Sequence, residues 1–325
     1  MRLSIGVLVS AALLAAGAWA RSGSEPVTPI DPPAHHDPAK VELGRKLFHD
    51  PRLSGGNAVA CASCHRLDAG GDDDEVRPPG SGGQRLDYNA PTIFNLAFNF
   101  RLNWRGNFHT IEEQNEQVLL DPRVMNTTWV ELLAKLRADR DYPREFAGIY
   151  GGTLTSAGVL DALAAFQRSL ATPDSRFDRY LRGDGAAISS DEAQGYQLFK
   201  SYGCIACHQG ANLGGNLFQK IGVFDEPFAR QTDTTEADQG RFSITRVEAD
   251  RKVFRVPSLR NVVLTAPYFH NGYIWSLAEA VEIMARSQLG RELPKRDVGL
   301  IVQFLDTLTG EYQGRSLAQA DRRPP

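Results

Sequence analysis

Residues 61–65 read Cys-Ala-Ser-Cys-His, and residues 204–208 repeat the pattern as Cys-Ile-Ala-Cys-His. Two thiols three positions apart can add to the two vinyl groups of one haem, and the histidine that follows is placed to ligate the iron. A lone C-x-x-C run also suits half a zinc site or a redox dithiol. Here the run occurs twice, and its four cysteines are all that the chain contains. A zinc site of four cysteines would not require a histidine after each pair, and neither run lies in a βαβ pattern. The spacing therefore predicts two covalently bound c-type haems. Cys61, Cys64, Cys204 and Cys207 are the attachment points, with His65 and His208 as the iron ligands from below.

The rest of the composition is ordinary. The chain has 325 residues, 42% hydrophobic and 23% charged, with a formal net charge of −3. That length suits about two domains, and the near-neutral balance gives no sign of a nucleic-acid or membrane-surface partner. Residues 1–20 read as an export signal: Arg2 is the positive start, 3–17 are almost wholly apolar, and Ala18-Trp19-Ala20 is a cleavage site. The apolar run is short for a membrane span; an uncleaved anchor is the alternative. Export to the periplasm agrees with the cysteines, since c-haem is attached outside the cytoplasm and no thiol is left for a disulfide. Residues 21–38 carry five prolines with Gly and Ser, and read as a flexible lead-in.

Apolar residues recur at helical spacing over 127–139 and 156–170, including Leu132, Leu136, Val159 and Leu163. No stretch alternates with period two for long. The fold class expected is all-α, with two cytochrome-c-like haem domains. Arg182-Gly183-Asp184-Gly185 breaks the chain, giving an N-terminal domain over 39–182 and a C-terminal domain over 183–325.

The two halves repeat each other. Gly44-x-x-Leu47-Phe48 precedes the first haem motif, and Gly195-x-x-Leu198-Phe199 precedes the second. Pro91-Thr92-x-x-Asn95 matches Pro257-Ser258-x-x-Asn261, and each proline has a glycine 15 positions later, Gly106 and Gly272. Capping boxes follow, Thr110-x-x-Glu113 and Ser276-x-x-Glu279, each able to satisfy free N–H groups at a helix start.

The halves differ where it matters. Met284 lies 27 positions after Pro257, and the matching residue of the first half is Val118. A thioether is a good sixth ligand for haem iron and raises its potential; valine cannot ligate. Core filler is the other reading of Met284, and Met125 is the competing sulfur, although by position it belongs to the first half. The loop 66–90 after the first motif contains no histidine. The first iron is therefore expected to be five-coordinate or to hold only water, open to peroxide, while the second carries electrons. Trp104 occupies the position that His270 holds in the second half, on a loop that could lie between the haems and relay electrons; packing is its other reading.

These stretches resemble the bacterial dihaem cytochrome c peroxidase and MauG family. The matching segments are LGRKLFHDPRLS (43–54), NAPTIFNLAFN (89–99), SLATPDSRFDRYL (169–181), GCIACH (203–208) and FRVPSLRNVVLTAPYFHNG (254–272), followed by SLAEAVEIM (276–284). In that family the N-terminal haem is peroxidatic and the C-terminal haem transfers electrons. The resemblance makes Met284 the axial methionine, Trp104 the tryptophan between the haems and Gln114 the distal glutamine. It aligns Asn89, Thr265 and Pro267 with the residues around an interdomain calcium, for which oxygen ligands are suitable.

Two residues depart from the family. Where many members hold a loop histidine on the resting first haem, this chain has Ser81, which implies a site needing no reductive opening. Where the family has a distal glutamate that helps split peroxide, this chain has Val124, which cannot move a proton. Glu116, Asp121, Arg123 and His109 are near in sequence and could stand in, although each also reads as a solvated surface residue. The resemblance implies a periplasmic oxidoreductase that reduces hydrogen peroxide with electrons from a small cytochrome or cupredoxin. The alternatives are MauG- or MbnH-like oxidation of side chains on a partner protein, and a non-catalytic electron carrier. MauG-like enzymes typically carry tyrosine where Met284 stands. Relatives are often dimers, so a homodimer is expected.

Overall fold

The computed structural model describes residues 25–32, 36–229, 231 and 234–320, and its framework is helical. The first half runs α1 (Pro38–Phe48), α2 (Ile111–Leu120), α3 (Trp129–Arg137), α4 (Tyr142–Tyr150) and α5 (Ser156–Ser169), and α6 (Arg176–Leu181) leads out of it. The second half runs α7 (Ser190–Tyr202), β1 (Phe218–Lys220), α8 (Phe242–Thr245), β2 (Val253–Arg255), α9 (Leu277–Leu289) and α10 (Lys295–Asp306). The chain then forms β3 (Glu311–Tyr312), β4 (Arg315–Ser316) and α11 (Leu317–Ala320). Among the described residues the strands make only two antiparallel two-stranded ladders, β1 with β2 and β3 with β4. The all-α expectation holds. No described helix is long and apolar enough to cross a membrane, and the segment read as an export signal, 1–20, lies outside the described residues.

Each half is built on one crossing of two helices, and a glycine sets how close they come. A Cβ added at Gly44 of α1 would fall 1.9 Å from the Ala162 carbonyl oxygen of α5. A Cβ at Gly195 of α7 would fall 2.0 Å from the Leu300 carbonyl oxygen of α10. Real contacts of that kind exceed 3 Å, so only glycine lets the backbones touch. The phenylalanines that follow these glycines then pack across each crossing: Phe48 on Phe166 at 5.2 Å, and Phe199 on Phe304 at 5.3 Å, the first edge-on and the second tilted. Around them lie two apolar cores, one with Leu43, Leu47 and Leu163, the other with Tyr196, Ile301 and Leu305.

The Pro-x-x-x-Asn loops also match. Asn95 and Asn261 both adopt φ 59°, ψ 15°, left-handed values that asparagine tolerates, and each opens a short 3₁₀ turn. Both send their amide nitrogen to one acceptor, the Thr172 hydroxyl in the linker, at 2.7 and 3.0 Å. Thr172 is fully buried. The two loops therefore meet at a single side chain.

The chain ends correct the linear domain picture. Residues 25–32 do not behave as a flexible lead-in: Val27 and Ile30 are buried, and Val27 belongs to the second core. The apolar pair three residues apart explains this, because flanking prolines hold the backbone extended at low entropic cost. The strap is pinned by the Ile30 N–H to Asp178 at 3.2 Å, the Gly210 N–H to Pro26 O at 2.8 Å and the Tyr196 hydroxyl to Glu25 at 2.6 Å. Phe177 of α6, assigned by sequence to the first domain, also packs in the second core. At the other end, Leu317 is buried in the first core and Tyr312 packs edge-on against Phe94 at 5.2 Å.

Candidate functional site

Each C-x-x-C-H run forms a 3₁₀ turn, Cys61–Ser63 and Cys204–Ala206, and each histidine N–H closes on the carbonyl of its first cysteine at 3.0 Å. The turn puts both thiols and the imidazole on one short stretch of backbone. Among the described residues no three His, Cys, Asp or Glu side chains converge as a metal cage requires, so the two cysteine pairs do not share one four-thiol site.

The imidazoles are set for ligation. His65 Nδ1 lies 3.1 Å from Gly71 O, and His208 Nδ1 lies 3.0 Å from Leu213 O. A carbonyl can only accept, so Nδ1 carries the hydrogen and Nε2 is left with its lone pair. Burial pulls the pKa of both rings down, His208 to about 4, which keeps them neutral as an iron ligand must be. Burial likewise pushes the Cys61 thiol up to about 12 and Cys204 to about 11.

A large cavity in the second half is lined by Cys204, Cys207 and His208, and by Met284 from α9. Its apolar wall includes Phe199, Val281 and Ile301. The donor set and the apolar walls fit a c-type haem held by two thioethers, one imidazole and one thioether sulfur. Asn89, Thr265, Pro267, Trp104 and His270 line the same cavity, so these separate sequence positions come together. Trp104 is buried, and its indole N–H donates to Asn89 O at 2.9 Å. The Asn89 N–H in turn donates to His270 O at 2.8 Å, and the Trp104 and His270 rings meet edge-on at 6.4 Å. His270 Nε2 lies 2.9 Å from Asp238 Oδ1.

In the first half, α2 starts on its capping box: the Glu113 N–H reaches Thr110 Oγ1 at 3.1 Å and the Thr110 N–H reaches Glu113 Oε2 at 3.3 Å. Gln114 and Val118 follow at i, i+4, on one helix face. The Gln114 Oε1 is buried without a hydrogen-bond partner among the described protein atoms, an oxygen that suits a ligand or water in this half. Val118 and Val124 pack against the first core, and Met125 is buried inside it, so the competing sulfur serves as core.

The two family departures turn out to be neighbours. The Ser81 N–H donates to the Val124 carbonyl at 3.1 Å, and the Gln84 side chain donates to Arg123 O at 3.1 Å. The four acid–base candidates are spent elsewhere or exposed. Glu116 accepts from the Trp129 indole at 2.9 Å, Asp121 accepts from the Arg123 N–H at 2.8 Å, Arg123 pairs with Asp87 at 2.7 Å, and His109 is exposed.

Sequence reading missed several buried ionisable groups, among them Asp72 and Arg255. Asp72 is 1% exposed with neither carboxylate oxygen bonded among the described atoms, and burial with Asp74 nearby pushes it up to about 8. Arg255 lines the second-half cavity. Neither lies in a periodic pattern, so nothing in the sequence marks it as buried.

Comparison with known proteins decides the family. The model of the di-haem cytochrome c peroxidase family matches residues 38–186. The cytochrome c551 peroxidase of Nitrosomonas europaea is 40% identical over 313 residues, covering 96% of this chain and 90% of its own length. The chain belongs to the dihaem cytochrome c peroxidase family. The cytochrome c peroxidase of Escherichia coli is 43% identical over 89% of this chain, but the chain spans only 62% of that protein's length. MauG of Methylorubrum extorquens is 32% identical, covering 87% of this chain and 81% of its own length. Among solved structures, a MauG-like protein associated with microbial copper homeostasis superposes with a TM-score of 0.77 at 30% identity, covering 87% of this chain and 94% of that one. As a member of the dihaem peroxidase family, the protein is a haem-dependent oxidoreductase.

Proposed function

We propose that this chain is a periplasmic dihaem peroxidase that reduces hydrogen peroxide to water with two electrons and two protons, the electrons coming from a small cytochrome or cupredoxin. Bound haem supplies an iron that takes up peroxide where one face is open and passes single electrons where both faces are ligated. The residues divide that work. Cys61, Cys64 and His65 hold the first group, and Cys204, Cys207, His208 and Met284 hold the second. Val118, in the position matching Met284, leaves the first without a sulfur. Gln114 offers its unbonded amide oxygen to water or peroxide in that half, and Trp104 stands on the wall of the second cavity as the electron relay. Asn89, Thr265 and Pro267 are the proposed calcium residues beside it. The paired glycine crossings, the matched Asn95 and Asn261 backbones and the two Nδ1–carbonyl bonds support one cytochrome-c-like unit used twice.

The observation that carries this reading is the asymmetry between Met284 and Val118. The fully reduced protein is expected to bind one CO per two haems, titrated by absorbance. Two CO per protein, or none, would remove the assignment. Met284→Ala is expected to abolish the low-spin His/Met spectrum of one haem and raise the CO stoichiometry toward two; an unchanged spectrum means another residue is the ligand.

A second reading, peroxide-driven oxidation of a partner protein's side chains, is favoured by one observation, the valine at position 124. Mixing with peroxide in the presence of a reduced cytochrome separates the two: rapid cytochrome oxidation supports the peroxidase.

A further inference from the structure

Arg255, at the end of β2, is 5% exposed. Of the residues lining the second-half cavity it is the one arginine or lysine. Its Nε donates to the Asn103 carbonyl at 3.2 Å and one Nη to its neighbour's carbonyl, Val256 O, at 3.4 Å. Both are long for a charged donor. Among the described residues no carboxylate pairs with it, and burial alone acts on it, pulling the guanidinium down to about 10. Arg260 is the contrast: just as buried, it meets Asp178 at 2.7 Å. A buried cation with no counter-ion is strongly disfavoured, so an anion belongs beside Arg255.

The chemistry of the proposed occupant supplies one. Cys204 and Cys207 would bond the vinyl groups on one side of the tetrapyrrole. Its two carboxylate side chains lie on the other side of the same ring and need a partner elsewhere on the wall. We propose that Arg255 is the counter-charge for a carboxylate of the haem held by Cys204, Cys207 and His208. The inference rests on the two-haem reading above. It adds a link to the first half, because the Arg255 N–H also donates to Trp104 O at 2.9 Å. The cation that balances the second haem is thus fastened to the loop that carries the relay tryptophan.

The test compares Arg255→Gln and Arg255→Lys with the wild type, each checked for two haems by pyridine haemochrome. A positive charge near the iron disfavours the ferric state. Arg255→Gln is therefore expected to lower the midpoint potential of the low-spin haem and to shift its carboxylate bending band in the resonance Raman spectrum. Arg255→Lys, which keeps the charge but loses the Asn103 bond, is expected to hold the potential near wild type while still moving the band. Equal losses of potential in both variants, or an unmoved band, would overturn the proposal. If the glutamine variant does not fold, the band in the lysine variant decides: moved supports, unmoved overturns. A wild type without haem on Cys204 and Cys207 would fail the two-haem reading itself, whereas two haems with an unmoved band fails this proposal alone.

Discussion

Val124→Glu is expected to speed cytochrome-dependent peroxide reduction by about 10²-fold or more, the usual contribution of a positioned acid–base group. The family resemblance aligns a glutamate with this position, and the two acids nearest it in sequence are engaged: Glu116 and Asp121 accept from Trp129 and Arg123. The backbone is ready for the change. The Val124 N–H donates to Asp121 O at 3.0 Å, and its carbonyl accepts from Ser81, so the segment is fixed without help from the side chain. Val124 packs partly buried against the first core, and partial burial would raise the new carboxyl toward neutral pH, where it can both take and give a proton. Val124→Gln, which cannot exchange protons, is the control and should leave the rate near wild type. Steady-state turnover with a reduced small cytochrome measures both. A glutamate variant no faster than the glutamine variant would show that the native site does not lack a proton carrier.

Asp178→Ala is expected to cost about 3–5 kcal/mol of folding stability, the range for breaking a buried ion pair from one side. Asp178 and Arg260 are both 0% exposed and 2.7 Å apart. Asp178 also accepts from the Ile30 and Ser175 N–H groups, while Arg260 donates to Thr28 O, Ala211 O and the Ser175 hydroxyl. One pair therefore ties the strap, the linker helix and a second-half loop together. Urea unfolding of the holoprotein gives the number. Replacing both partners by leucine and methionine should recover much of the loss, because the uncompensated charge is gone; a double variant as unstable as Asp178→Ala would contradict this account.

Much of this was legible in the sequence because the repeat made it redundant. Gly44 recurs as Gly195, Asn95 as Asn261, and the Thr110 helix cap as Ser276, so a chance match in one half was checked by the other. Met284 stood out by the same logic, as a difference within a repeat, and it lines the same cavity as His208. What escaped was whatever has no period. Arg255 and Asp72 sit in loops or strand ends, where burial is set by which distant segment covers them. The strap escaped because a proline-rich composition describes the stiffness of a chain and says nothing of where it lies; Val27 and Ile30 were the only residues that could have betrayed it.

The strap and the hairpin at the opposite end lace the two units crosswise. A fragment stopping at residue 182 would leave a hole where Leu317 belongs, and one starting at 183 would bare the seat of Val27. Cut at that boundary, each piece would lose a buried apolar side chain that the other end of the chain supplies to its core.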